Sequence, residues 1–208
     1  MIKSIKFSAL LLTILVMAAC TSKKEKTTET TETVEETTTT TTASVKDINL
    51  EASTVHWKGQ MLKMYSHEGN IALKEANLLM ADGKLAGGSF VVDMTTITPT
   101  DDNYNAAEGK TAEKLVGHLS SPDFFDVANH PTASFEIKTV NENSAVGTLT
   151  VRGKTGEETI QNITMNEDGT VSGTLTFNRK NYDVAFDHPM KEMVLSNDIE
   201  LDITLAVK

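Results

Sequence analysis

This 208-residue sequence has a single cysteine and no cluster of positively charged residues. Its single cysteine, Cys20, excludes an intramolecular disulfide framework and any zinc site built on cysteines. Nineteen Lys and Arg residues stand against 29 Asp and Glu residues, for a net charge of −10. Binding to a phosphate backbone depends on clustered Lys and Arg that displace counterions, so the sequence predicts no nucleic-acid partner.

Recognisable catalytic and metal-binding motifs are also lacking. The sequence has no Gly-x-Ser-x-Gly turn and no phosphate-binding glycine loop. Its histidines form no i, i+4 pair on a helix, and His67 and Glu68 are adjacent on a predicted strand, where they point to opposite faces. We therefore predict a protein that is not an enzyme and that has neither a cofactor nor a metal site.

The longest apolar run, residues 7–19, is shorter than the ~20 residues needed to cross a bilayer. Lys3 and Lys6 precede it, and Met17-Ala18-Ala19 lead into Cys20, which is the layout of a secretory signal peptide. Small residues before a lone cysteine resemble the lipobox of bacterial lipoproteins, whose cysteine is acylated, typically with palmitate. We predict a signal peptide over 1–19 and a lipid anchor at Cys20, since two or three acyl chains attach stably to a membrane. Secretion with a free thiol is the alternative.

The residues after the anchor predict a location and a spacer. Thr21, instead of Asp, follows the cysteine, which in such lipoproteins favours the outer membrane, so we expect a cell-envelope protein facing the periplasm. Residues 27–42 comprise eleven Thr, four Glu and one Val, a composition that cannot bury an apolar face. We predict a disordered tether over 20–47 and a folded domain over 48–208. The domain carries the whole negative charge, with 14 basic and 24 acidic residues from residue 45 onward.

Alternation of apolar and polar residues dominates the domain and predicts an all-β fold. Between Ile199 and Val207 every second residue is a large aliphatic one. Comparable patterns place eight strands near residues 53–59, 69–79, 84–94, 132–140, 144–152, 157–166, 170–179 and 199–207. Tight turns such as Asp82-Gly83 make neighbouring strands antiparallel. Because closure removes sheet edges, we predict an eight-stranded antiparallel barrel.

One short helix is expected between the third and fourth strands. Residues from Ala112 to Leu119 are apolar at helical spacing, and Asn105 followed by Glu108 resembles a capping box, which predicts a helix from about 106 to 119. Such a helix can cover one mouth of the barrel. A barrel of eight strands either fills with side chains or holds one small ligand.

After the predicted helix, the chain reads His118-Leu119-Ser120-Ser121-Pro122-Asp123-Phe124-Phe125-Asp126-Val127 and then His130-Pro131-Thr132-Ala133-Ser134-Phe135. This order of His-Leu, Ser, Asp-Phe-Phe and Pro-x-Ala-x-Phe resembles the signature of the YceI-like family of lipid- and polyisoprenoid-binding proteins. The resemblance extends over residues 50–208. It implies an exported, lipocalin-like barrel with an elongated apolar lumen for an isoprenoid chain, such as that of a quinone or a polyprenyl phosphate.

Inward-facing apolar residues are the candidate ligand contacts, because alternate positions of each strand face the lumen. The predicted ligand-binding set is Trp57, Ile71, Leu73, Phe90, Val92, Phe124, Phe135, Ile137, Phe177, Leu201 and Ile203. His118 and Arg179 are candidate headgroup contacts. For His118 the alternative is binding to the helix's terminal carbonyls, and for Arg179 it is pairing within the fold.

The sequence predicts a lipoprotein whose barrel binds, sequesters or carries a hydrophobic chain lipid, with isoprenoids as the expected class. Few polar contacts are needed, because each buried methylene contributes about 0.8 kcal/mol. One alternative is an envelope stress or structural protein with a filled barrel and a protein-binding surface. A less favoured one is a lipid-acting enzyme that uses His118. The sequence leaves homodimer formation open.

Overall fold

Ten strands and one α-helix make up the described part of the computed structural model, which comprises residues 43–61, 65–186 and 195–208. The strands are β1 (Ala43–Met61), β2 (Tyr65–Ile71), β3 (Leu73–Ala81), β4 (Lys84–Asp93), β5 (Thr98–Pro99), β6 (Thr132–Val140), β7 (Ala145–Val151), β8 (Lys154–Met165), β9 (Thr170–Asn178) and β10 (Leu195–Val207). Short 3₁₀ helices span Met94–Thr96, Ala106–Glu108 and Arg179–Tyr182, and the α-helix, α1, spans Ala112–Ser120. The predicted signal peptide, Cys20 and the Thr-rich stretch 27–42 lie outside the described residues.

Eight of the strands close into an antiparallel barrel. The order around it is β1, β3, β4, β6, β7, β8, β9 and β10, and β10 pairs back onto β1. Each predicted strand overlaps one of these eight or β2, and the predicted eight-stranded antiparallel barrel with one helix is confirmed.

β2 and β3 are two parts of one long strand that is interrupted at Ala72. β2 pairs with the second part of β1, from Val55 to Met61, and β3 pairs with its first part, from Ala43 to Asp47. β1 therefore begins before residue 48, the predicted start of the domain. Residues 43–47 are all exposed, so backbone pairing holds this part of the strand and no inward apolar pattern marks it in the sequence.

The helix is shorter than predicted. The Asn105 side chain accepts a hydrogen bond from the Ala107 amide and caps only the 3₁₀ turn, which Gly109 ends in the left-handed conformation at φ 69°. α1 begins at Ala112, where Thr111 accepts a hydrogen bond from the Lys114 amide. The predicted span of 106–119 is thus wrong in its first turns, because a left-handed residue ends one helix before another begins. Within the described ranges, no helix is both long and apolar enough to span a bilayer.

The barrel interior has a filled half and a hollow half. In the filled half, buried side chains from the end of β3 and the start of β9 meet in one core with those from the ends of β8 and β10. Its members include Ile48, Leu78, Ile160 and Leu205. The hollow half is enclosed by the ends of β1, β4, β7 and β9 and the starts of β2, β6 and β10.

Phe135 of β6 belongs to the core beside the cavity and does not line it. Its ring is fully buried and stacks on Phe90, with ring centroids 5.7 Å apart. A Cβ atom at Gly147 would lie 2.5 Å from the Phe135 ring. Glycine at position 147 therefore leaves the space that the Phe135 ring occupies.

Candidate ligand-binding site

The hollow half contains a cavity of about 390 Å³, which lies within the range of small-molecule pockets, about 300 to 1,000 Å³. Its walls are formed almost entirely by apolar side chains from seven strands. The buried strand residues among them are Val55, Trp57, Ile71, Phe90, Val92, Ala133, Leu149, Val151, Leu175, Phe177 and Ile199. A surface of this kind favours an apolar ligand, because it offers few groups that can replace lost hydrogen bonds to water.

Aromatic side chains from two loops and α1 line the end of the cavity that the helix covers. We call His118, Phe124, Phe125 and Phe186 the aromatic cluster. The His118 ring lies edge-on to Phe186 at 4.4 Å and to Phe124 at 5.5 Å, and Phe124 meets Phe125 edge-on at 4.9 Å. Leu115 and Leu119 of α1 complete this wall. The helix thus presents its apolar side to the cavity.

Arg152 ties the two loops of the aromatic cluster to the barrel. It lies in the turn between β7 and β8, and its guanidinium donates to the Pro122 carbonyl at 2.6 Å and to the Asp183 carbonyl. Pro122 precedes Phe124 and Phe125, and Asp183 precedes Phe186. One side chain therefore holds both loops in place.

Seven of the eleven predicted ligand contacts lie in the cavity wall, together with both predicted headgroup residues. They are Trp57, Ile71, Phe90, Val92, Phe124, Phe177 and Leu201, with His118 and Arg179. Their contact with a ligand stays a prediction.

Four other predicted contacts do not line the cavity. Phe135, Leu73 and Ile203 are buried in the core cluster, and Ile137 packs against it. The physical reason is that alternation distinguishes the inward face of a strand from the outward face. It carries no information on whether the space at that height of the barrel is filled.

Arg179 is fully buried and makes hydrogen bonds within the fold. Its Nε donates to the Ser196 carbonyl at 2.9 Å, and its Nη1 donates to the Val184 carbonyl at 2.6 Å. These bonds connect the end of β9 to the start of β10 and to the segment that leads to Phe186. Pairing within the fold, the alternative for this residue, is therefore present, while Arg179 also forms part of the cavity wall.

A polar group that the sequence did not single out also borders the cavity. His67 of β2 is one of the lining residues, and its Nδ1 lies 3.1 and 3.2 Å from the two carboxylate oxygens of Asp101. Within residues 43–61, 65–186 and 195–208, no group of three or more His, Cys, Asp or Glu side chains is arranged to hold a metal ion.

A known family model covers the whole barrel. The sequence model of the YceI-like domain matches residues 25–207. The chain belongs to the YceI-like family. Among its relatives, a UPF0312 protein of Staphylococcus aureus is 31% identical over 121 residues, which cover 53% of this chain and 71% of the relative. A UPF0312 protein of Staphylococcus epidermidis is 31% identical over 110 residues, covering 48% and 63%.

Solved structures resemble this YceI-like chain at low sequence identity. BcnA of Burkholderia cenocepacia is 17% identical, with a TM-score of 0.55 over 76% of this chain and 98% of BcnA, which supports the barrel fold. A polyisoprenoid binding domain from Saccharophagus degradans is 9% identical, with a TM-score of 0.47 over 79% of this chain and 97% of that domain.

The YceI-like cavity includes residues that sequence reasoning missed for two different reasons. Val55, Leu175 and Ile199 continue alternating patterns that were already recognised, so a complete reading of each strand would have included them. His67 and Asp101 are 34 positions apart, and no local pattern relates them. Only the pairing of β2 with β1 and β5 brings this pair to the cavity.

Proposed function

We propose that this YceI-like protein binds a hydrophobic chain lipid, with isoprenoids as the expected class, and that it carries or sequesters this lipid without transforming it. The apolar cavity of about 390 Å³ is the observation that carries the proposal. Apolar burial supplies the binding free energy, because a chain with many methylene groups gains about 0.8 kcal/mol for each before ordering costs are subtracted. The alternative of a filled, purely structural barrel leaves this cavity unexplained.

The direct test is native mass spectrometry of the full chain purified from its native envelope. We expect a co-purifying lipid whose mass fits an apolar chain. A protein that is consistently free of lipid, and that binds no isoprenoid added in detergent-free buffer, would overturn the proposal.

Gly59 is a position from which a side chain can be extended into the cavity. It lines the cavity, and a Cβ added there meets no heavy atom within 4 Å. The Gly59→Phe variant should therefore place its ring in the space that the lipid needs and reduce lipid occupancy at least tenfold. Gly117→Phe is the matched control, because Gly117 is exposed on α1, does not line the cavity and is equally unobstructed.

We further propose that the protein acts as a lipoprotein at the outer membrane, facing the periplasm, with Cys20 as its anchor. The support is the apolar run over 7–19 followed by the only cysteine of the chain. In the Cys20→Ser variant, we expect the acyl-chain mass to disappear from the mature protein and the protein to leave the membrane fraction. Retention of both would contradict lipidation at this residue.

A further inference from the structure

A His–Asp pair lies at the edge of the cavity that the β1–β2 hairpin forms. His67 is paired with Gly59 across the hairpin, and both residues line the cavity. The side chain of Asp101 is only 6% exposed, and that of His67 is 21% exposed. The pair is therefore nearly shielded from solvent, with the imidazole on the cavity side.

Asp101 is held in its charged form by a complete set of donors. Its carboxylate accepts hydrogen bonds from the Glu68 amide at 3.2 Å, the Asn103 amide at 2.9 Å and the Tyr104 hydroxyl at 2.9 Å, in addition to His67. Burial acts to raise the pKa of Asp101, but these hydrogen bonds together keep that pKa below its ordinary value. A carboxylate can only accept, so Nδ1 of His67 carries a proton.

Two tyrosines fix the orientation of the imidazole. Tyr104 stacks on the His67 ring at 5.4 Å with an interplanar angle of 19°, and Tyr65 meets it edge-on at 5.1 Å. Because Tyr104 also donates to Asp101, the stacking ring and the carboxylate are positioned together. With Nδ1 engaged, Nε2 is the polar atom of this ring that remains available to a ligand.

We infer that Nε2 of His67 accepts a hydrogen bond from the hydroxyl head of a chain alcohol whose apolar tail occupies the cavity. This inference rests on the proposed function and specifies the head of its ligand. The tautomer with its proton on Nδ1 presents a lone pair at Nε2, which suits an O–H donor. An anionic head would meet the carboxylate of Asp101 behind the ring, in a chain whose net charge is −10.

The test compares three probes with one chain and different heads: farnesol, farnesyl methyl ether and farnesyl phosphate. Trp57 is the only tryptophan and lines the cavity, so its fluorescence reports binding in the full chain. For the native protein, we expect farnesol to bind about fivefold more tightly than the ether, because one hydrogen bond typically contributes about 1 kcal/mol of free energy. We also expect farnesol to bind more tightly than the phosphate.

The decisive variant is His67→Phe, which keeps an aromatic ring between the tyrosines and removes both nitrogens. It should bring the ratio of farnesol to ether affinity to about one while the ether still binds. His56→Phe is the matched control, because His56 does not line the cavity and its Nδ1 lies 3.0 Å from the Asn70 amide oxygen. This control should keep the fivefold ratio.

Asp101 acts as a positioning residue, and nitrogen NMR of the His67 ring separates that role from a structural one. The native protein should show a protonated Nδ1 and an unprotonated Nε2. Asp101→Asn should populate both tautomers and lower the farnesol preference, while the affinity for the ether is kept.

Four outcomes would overturn the inference. They are a ratio near one in the native protein, a fivefold ratio that survives His67→Phe, an equal loss of all three probes in that variant, and tighter binding of the phosphate than of the alcohol. Each of these leaves the lipid-binding cavity in place. Failure of every probe to bind the native protein would instead overturn the proposed function, and the inference with it.

Discussion

The filled and hollow halves of the barrel are built from the same strands, yet they differ in what closes them. In the filled half, side chains such as Leu78, Ile160 and Leu205 pack against one another within the barrel. In the hollow half, α1 and the aromatic cluster form the cover, and the space beneath stays empty of side chains. One half therefore supplies packing free energy, while the other half forgoes part of that free energy and retains room for a ligand.

Phe135, which is fully buried in the core beside the cavity, should show the largest effect. Phe135→Ala removes a fully buried ring and should cost about 3 to 5 kcal/mol of unfolding free energy, because the vacated space cannot fully collapse. Urea denaturation measures this cost. Phe125→Ala, at the half-buried end of the cavity, should cost less than about half as much. Equal costs would contradict the division into two halves.

Gly147 tests the packing around Phe135 from the opposite direction, by adding volume. Gly147→Ala adds a methyl group 2.5 Å from the Phe135 ring and closer still to the Glu136 backbone carbonyl, and it should destabilise the protein by about 1 to 3 kcal/mol through overpacking. Gly117→Ala, on the exposed side of α1, is the control and should be neutral or slightly stabilising. A thermal melt that shows no loss for Gly147→Ala would mean that both the Phe135 ring and the Glu136 backbone can shift to make room.

Arg152 tests the cover of the hollow half. Arg152→Gln removes the bonds to the Pro122 and Asp183 carbonyls and should cost about 1.5 kcal/mol, while hydrogen exchange at residues 122–127 speeds up. Lys154→Gln provides the comparison, since it breaks only the exposed pair with Asp183, in which N and O are 2.9 Å apart. Faster exchange throughout the barrel in the Arg152 variant would contradict a local role.

Asp101→Asn should give the smallest loss of stability, and this loss should depend on pH. Its pKa is lower in the folded protein than in the unfolded chain, where it is about 3.9, so its contribution is present above that value and is lost as the pH falls through the folded pKa. Asp101→Asn should therefore reduce the urea midpoint at pH 7 and lose its difference from the native protein in strong acid. A difference that persists unchanged at low pH would exclude this charge-based origin.

Much of the fold was predictable because alternation is a local property. The strand from Ile199 to Val207 shows its inward face in the sequence, and the closed eight-stranded barrel follows from eight such segments. The first five residues of β1 were not predictable, because they are exposed and held by backbone bonds to β3. The start of α1 was misplaced, because Asn105 caps a separate 3₁₀ turn that resembles a helix start in the sequence.

The sequence predicted which side chains of the candidate site face the barrel interior. It did not predict which of them line the cavity. Phe90 and Phe135 are direct neighbours across β4 and β6, and both face inward, yet Phe90 lines the cavity and Phe135 is packed in the core beside it. Their separate roles depend on Gly147, which leaves room for the Phe135 ring. A glycine gives no signal in a pattern of alternating apolar and polar residues.

The sequence by itself determined the family, the strands, their inward faces and the segment that supplies His118, Phe124 and Phe125, because each of these is encoded over a few neighbouring residues. Only the tertiary structure decided where the barrel is empty and which polar group meets the cavity. The reason is that free volume depends on side chains contributed by many strands at once, and the His67–Asp101 pair forms only when β2 lies between β1 and β5.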